Sequence, residues 1–136
     1  VRALIDINVV LDVLLAREPH VQIASQVWTA VERRYLDGIL AAHAFTTIAY
    51  LYQKKSGSIA ARKAVAELLA VFEVARVDRA VLQRALDFGW PDFEDAVTAA
   101  CAESSRCDVI VTRDPRGFPR SPVPARTPEA ALRATR

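Results

Sequence analysis

The 136 residues, 52% apolar and 25% charged, have the length and balance of one globular domain, 1–136, which excludes extensive disorder and a division into modules. The longest apolar runs, such as Val9–Leu11 and Ile39–Ala42, fall far short of the ~18–20 residues that a bilayer requires, and no leader pattern opens the chain, so neither a membrane span nor secretion is expected. Formal charge is only +2 but unevenly spread: residues 112–136 hold six arginines against Asp114 and Glu129, a basic tail on a slightly acidic body. Cys101 and Cys107 lack a C-x-x-C spacing and the only histidines are His20 and His43, so a disulfide framework and a zinc site are not expected, and a reducing cytoplasm is the expected compartment.

In chain order, Ala3-Leu4-Ile5 is too short and too apolar for a helix and reads as a buried strand ending at Asp6. Asn8 then opens a helix to Leu15, and a second helix runs from His20 to Leu36, with Ile23, Val27, Ala30 and Val31 at helical spacing. Asp37-Gly38 reads as a turn, Ile39–Ala42 as a strand, Phe45–Lys55 and Ala60–Ala70 as helices, and the β-branched stretch Val71–Val77 as a strand. Asp78 caps a helix through Leu86, and Asp92–Ser105 is a further helix. Val109–Val111 is a strand, Val123-Pro124 a last edge strand and Pro128–Ala134 a terminal helix. This alternation predicts an α/β fold, a central mostly parallel sheet of four or five strands between two helical layers. The site of such a sheet lies beyond the carboxyl ends of its strands.

Three segments aim acids at that end: Asp6 after the first strand, Asp92, Glu94 and Asp95 at a helix start, and Asp114 after another strand. Gathered carboxylates repel and lose hydration unless a cation compensates them, and magnesium suits aspartates without histidine or cysteine partners. Each acid also has a structural role open to it. Asp92 and Asp95 form a capping pair, Asp114 precedes Pro115 as an N-cap would, and Asp12 reads as a solvated helix residue. Asp6 has no evident helix of its own to cap, although Arg113 is a candidate ion-pair partner. The four glycines, Gly38, Gly57, Gly89 and Gly117, are too dispersed for a phosphate-binding or dinucleotide-binding loop.

The segments LIDINVVLDVLL (4–15), PDFEDAVTAACAESSRCDVIVTRD (91–114) and TPEAAL (127–132) together resemble a PIN domain, the magnesium- or manganese-dependent nuclease fold that includes the toxin ribonucleases of bacterial toxin–antitoxin pairs. The resemblance covers essentially the whole chain and implies a ribonuclease with Mg2+ or Mn2+ as cofactor and RNA as substrate. It leaves room for an antitoxin protein or a second copy of the chain as partner, with no membrane. It makes Asp6, Asp95 and Asp114 the catalytic metal-binding acids, Asp92 an auxiliary ligand, and Asn8 and Thr112 their neighbours. Arg113, Arg116 and Arg120 become candidates for phosphate contacts, with Lys54, Lys55, Arg62 and Lys63 as a second basic patch. The family also places an acid on the helix after the second strand; here that position falls in AFTTIAYLY, best matched by Thr47, a far poorer magnesium ligand.

Two rival readings follow from these residues. One is a PIN-like RNA- or protein-binding module weakened by the missing acid. The other is a haloacid dehalogenase-like phosphatase, whose nucleophile motif DINV loosely matches but which wants a second aspartate where Asn8 stands. His43 after the second strand is expected to be locally hydrogen-bonded, Trp28 and Trp90 to be packing residues, and Cys101 to lie on an apolar helix face.

Overall fold

A computed structural model describes residues 1–135. In chain order these form β1 (Arg2–Ile5), α1 (Ile7–Leu14), α2 (Val21–Glu32), β2 (Asp37–Ala41), α3 (Ala42–Ser56) and α4 (Ser58–Val71). Then come β3 (Glu73–Ala75), α5 (Arg79–Phe88), α6 (Phe93–Ser104), β4 (Val109–Val111), a 3-10 turn at Pro115–Gly117, β5 (Ala125–Arg126) and α7 (Pro128–Arg133). The five strands make one parallel sheet in the order β3-β2-β1-β4-β5, within the four or five strands expected. No helix among the described residues is long and apolar enough to cross a membrane.

The short strands are apolar throughout because both faces of the sheet are covered. Leu4 stands in register with Ile39 and Ile110, and this row packs against α5 and α6. The alternate residues Ala3, Ile5, Leu40, Val109 and Val111 face the opposite layer, built by α1, α2, α3, α4 and α7. Leu4, Ile39 and Ile110 are at most 1% exposed, so each contributes about 1.5–3 kcal/mol of burial. At the amino end of the sheet, Arg2 ties three elements together. Its guanidinium reaches Asp37 at 2.9 Å and Glu73 at 3.1 Å, and it donates to the Ser105 carbonyl at 2.9 Å.

Several boundaries differ from the sequence reading. α2 stops at Glu32 rather than Leu36, and Arg34 two residues on takes a positive φ of 63°. Asp37-Gly38 is the start of β2 rather than a turn, and Gly38 lies where the Val31 methyls leave no room for a Cβ. β3 is only Glu73–Ala75, because Val71 completes α4. The last strand is Ala125–Arg126, not Val123-Pro124: Pro124 has no N–H to give and serves only as acceptor for the Ile110 amide at 2.9 Å. α1 begins at Ile7, with Asp6 rather than Asn8 at its N-cap.

Order reversal positions the site. Successive strands step from β1 through β2 to β3 in one direction, and the chain then returns to place β4 and β5 on the other flank of β1. The crevice at the carboxyl ends of β1 and β4 is therefore a topological switch point.

Candidate functional site

Asp6 leaves β1 at that crevice, where its amide donates to the Val111 carbonyl at 2.9 Å and so pins the end of β1 to the end of β4. Its side chain is 6% exposed. One carboxylate oxygen accepts the Ile7 amide and the other the Thr112 hydroxyl, each at 2.9 Å. Asp6 thus does cap a helix, contrary to the sequence expectation. Burial, reinforced by the charge of Glu94, pushes its carboxyl up to about 6, although the Thr112 and Ile7 bonds and Arg113 act in the opposite direction.

Across the crevice, Asp92 caps α6 by accepting the Asp95 amide at 3.0 Å. That cap turns the first helical turn, Phe93-Glu94-Asp95, toward the strand ends. Asp95 is pushed up to about 7 by burial first, then by the charges of Asp92, Asp6, Glu94 and Asp114. Asp114 follows β4, its amide donating to the Thr112 hydroxyl at 3.2 Å. Thr112 therefore links the acid after β1 to the acid after β4.

These residues enclose a cleft of about 270 Å³, lined by Asp6, Asn8, Asp92, Glu94, Asp95, Thr112, Arg113, Asp114 and Phe118. Phe118, 5% exposed, forms its apolar wall, backed by Trp90 at a ring-centroid distance of 5.9 Å. Gly117 leaves the floor open: a Cβ there would stand 3.0 Å from Asp95 Oδ2 and 4.0 Å from Asp114 Oδ2. A larger and more apolar groove of about 600 Å³ lies between α2 and α7, but its lining, which includes Ala30, Arg33, Tyr35 and Leu132, holds no carboxylate.

The donors fit a hard divalent cation. They are carboxylate oxygens without histidine or cysteine, and oxygens of Asp92, Glu94 and Asp95 all lie within 4.8 Å of one another. The upward displacement of both Asp6 and Asp95 shows that the protein alone does not balance their charge. Arg113, the cation nearest to hand, is engaged elsewhere. Its Nε lies 2.9 Å from Asp12 Oδ2, and Asp12 is wholly buried rather than solvated. The Asp6–Arg113 pair considered from the sequence is thus replaced by Asp12–Arg113.

Of the residues singled out from the sequence, Asp6, Asn8, Asp92, Asp95, Thr112, Arg113 and Asp114 are brought together. Thr47 is exposed, its hydroxyl turned to the His43 carbonyl at 3.4 Å, and it is not part of the cleft lining. Arg116 and Arg120 are exposed beyond the cleft. Glu94, which the sequence placed among the acids at this end of the sheet but to which the family resemblance gave no role, lines the cleft too. Its carboxylate is held by His43 Nε2 at 3.0 Å and the Thr98 hydroxyl at 3.2 Å. The four-residue spacing of Glu94 and Thr98 puts them on one helix face. Sequence reasoning overlooked Arg17, which donates to the Asn8 side chain at 3.2 Å and approaches Asp12 at 3.6 Å.

A family model described as PIN domain matches residues 2–116. No curated protein matches the chain significantly by sequence. Among solved structures, a toxin–antitoxin complex from Klebsiella pneumoniae contains a chain with a TM-score of 0.71 at 19% identity, covering 93% of this chain and 97% of that one. FitAcB from Neisseria gonorrhoeae gives a TM-score of 0.66 at 20% identity, with 93% and 98% covered. VapC20 from Mycobacterium tuberculosis, a toxin that cleaves the sarcin-ricin loop, gives 0.66 at 16% identity, with 79% and 86% covered. At these identities the likeness is one of fold.

Proposed function

The chain belongs to the PIN domain family, and from that premise we propose that it is a magnesium- or manganese-dependent ribonuclease that hydrolyses RNA phosphodiester bonds. The observation that carries this reading is the convergence of Asp6, Asp95 and Asp114, from three distant segments, in one cleft with too few cations of its own. Asp6, Asp95, Asp114 and Glu94 would hold the cation, with Asp92 as an auxiliary ligand that also sets the helix turn presenting Glu94 and Asp95. A bound divalent ion supplies Lewis acidity, lowering the pKa of the attacking water and offsetting charge on the phosphoryl oxygens. The Ile7 amide and the Thr112 hydroxyl each bond one Asp6 oxygen and hold the carboxylate in one rotamer, so that the remaining lone pairs stay where a cation would need them. Phe118 and the Trp90 ring behind it keep bulk water from one side of the cleft.

The reading includes a protein partner. The Klebsiella structure of similar fold is described as a toxin–antitoxin complex and VapC20 as a toxin, which supports an antitoxin as the partner of this chain. The rival reading of a weakened binding module draws on Thr47, which stands outside the cleft and offers no carboxylate. Glu94 counters it by supplying an acid that the sequence comparison did not assign.

The test is melting of wild type and Asp95→Asn in chelator and in millimolar manganese, followed by incubation with single-stranded RNA. The expected outcome is that the variant is as stable as wild type in chelator, loses the manganese-induced rise and no longer cleaves. An equal loss of melting temperature in both conditions would make Asp95 a helix residue with no metal role.

A further inference from the structure

Among the acids the cleft lining includes one cation, Arg113, and it rests together with Arg17 on a single buried carboxylate. Asp12 lies on α1, one and a half turns after Asp6, with its side chain 1% exposed. Arg113 Nε stands 2.9 Å from one of its oxygens and Arg17 NH1 3.6 Å from the other. A buried carboxylate without compensation would be strongly disfavoured, so Asp12 requires at least one of these cations. Two guanidiniums on one acid leave an excess positive charge. Both side chains are about one-third exposed, 35% for Arg17 and 32% for Arg113, so that charge reaches the surface. Arg113 lines the cleft itself, and Arg17 is tied to it through Asn8 at 3.2 Å.

We propose that Arg17 and Arg113, anchored by Asp12, form a phosphate clamp that takes an RNA backbone phosphate beside the one held at the acids. The inference rests on the ribonuclease reading. Arg113 meets Asp12 through Nε, which leaves its two terminal nitrogens as a planar fork of donors suited to two phosphate oxygens. Arg17 spends NH1 on Asn8 and Asp12, and its remaining nitrogens have no acceptor among the described residues. An RNA strand is favoured over an acidic protein segment because the same Arg113 borders the carboxylate cleft, so one chain of phosphates would engage both sides of it. Asp12 is a positioning residue here. It touches neither substrate nor metal, but without it the two like charges would repel and the fork would lose its fixed orientation.

The experiment measures binding of a single-stranded RNA to wild type, Arg17→Gln and Arg17→Lys in chelator, across a range of salt concentrations. Each phosphate contact on a single strand contributes a slope of about −0.7 to log K against log salt. Arg17→Gln is expected to weaken binding about tenfold and to reduce the magnitude of that slope by about 0.7. Arg17→Lys is expected to keep the slope while losing part of the affinity, because an ammonium supplies charge without the fork. Manganese affinity by calorimetry should stay within twofold of wild type in both variants. Unchanged RNA affinity and slope in Arg17→Gln, with wild type still binding and cleaving RNA, would overturn the clamp and spare the ribonuclease. Wild type that binds manganese but neither binds nor cleaves RNA would overturn both. Loss in Arg17→Gln of binding to an acidic peptide, with RNA binding intact, would overturn the clamp in favour of a protein partner.

Discussion

Thr112 donates its hydroxyl to Asp6 across 106 residues of chain, at 2.9 Å and out of reach of solvent. The same oxygen accepts the Asp114 amide at 3.2 Å. One methyl-bearing hydroxyl thus sets the spacing of two acids that no local sequence relation connects. Thr112→Val keeps the shape and removes both bonds, so it is expected to lower stability by about 1–3 kcal/mol in urea denaturation. Because the hydroxyl favours the charged form of Asp6, its loss should also move the Asp6 titration above its present value of about 6, followed by carboxyl NMR.

The acids also predict how stability depends on pH. Asp6 and Asp95 hold their protons more tightly in the folded protein, up to about 6 and about 7, than in an unfolded chain where an aspartate titrates near 3.8. Near pH 4 and below, the folded state keeps this advantage. As pH rises toward 7 it must give up protons that the unfolded chain has already lost, and the advantage disappears. Without metal, the melting temperature should therefore decline between about pH 4 and 7. Asp95→Asn should flatten the decline, and manganese should raise the melting temperature more at pH 8 than at pH 5.5.

Glu94→Gln tests the acid to which the family resemblance gave no role and which lines the cleft. The amide preserves the shape of the side chain held between His43 and Thr98 but removes its charge. Calorimetry should find manganese bound at least tenfold more weakly, while the melting temperature in chelator stays level or rises. Undiminished manganese affinity would leave Glu94 as a partner of His43 alone.

Gly117→Ala probes the floor of the cleft. The new Cβ would meet Asp95 Oδ2 at 3.0 Å, the mobile end of a side chain, so the carboxylate is displaced by a few tenths of an ångström while the backbone stays in place. Stability is expected to change by less than about 0.5 kcal/mol. Manganese affinity should fall at least threefold in a calorimetric titration.

Gly38→Ala is the corresponding test of the fold. Its Cβ would lie 2.5 and 2.7 Å from the two Val31 methyls and 3.1 Å from the Phe72 ring, inside the packed layer between α2 and the sheet. Overpacking of this kind costs about 1–3 kcal/mol, read as a lower urea midpoint at constant slope. Adding Val31→Ala should recover part of the loss.

Strands β1, β2 and β4 were legible because a buried parallel strand must be apolar on both faces, and Leu4-Ile5, Ile39-Leu40 and Val109–Val111 are so at every position. The acids that follow them were legible for the same reason, since a charge at the end of such a run marks where the sheet meets solvent. β3 and β5 are edge strands of three and two residues, and an edge needs less of its sequence to be apolar, so the pattern blurs there. The burial of Asp12 was illegible for another reason. Whether a charge on a helix meets water depends on what covers that face, and here the cover is Arg113, about a hundred residues later. For Glu94 the sequence showed an acid at the helix start but not its hold by His43 on α3, a contact made across 51 residues.

The place of β1 in the sheet governs the order in which the molecule becomes complete during synthesis. Of the five strands the first to be made is the central one, and one of its flanks stays bare until β4, residues 109–111, has been made. Asp6 then waits 106 residues for Thr112, and two more for Asp114, its partners at that flank. A nascent chain stalled before residue 109 carries Asp6, Glu94 and Asp95 yet has no β4 to hold the end of β1 against them. The cleft is thus closed only when the fourth of the five strands has been made, and a chain that ends before β4 lacks Thr112 and Asp114 together.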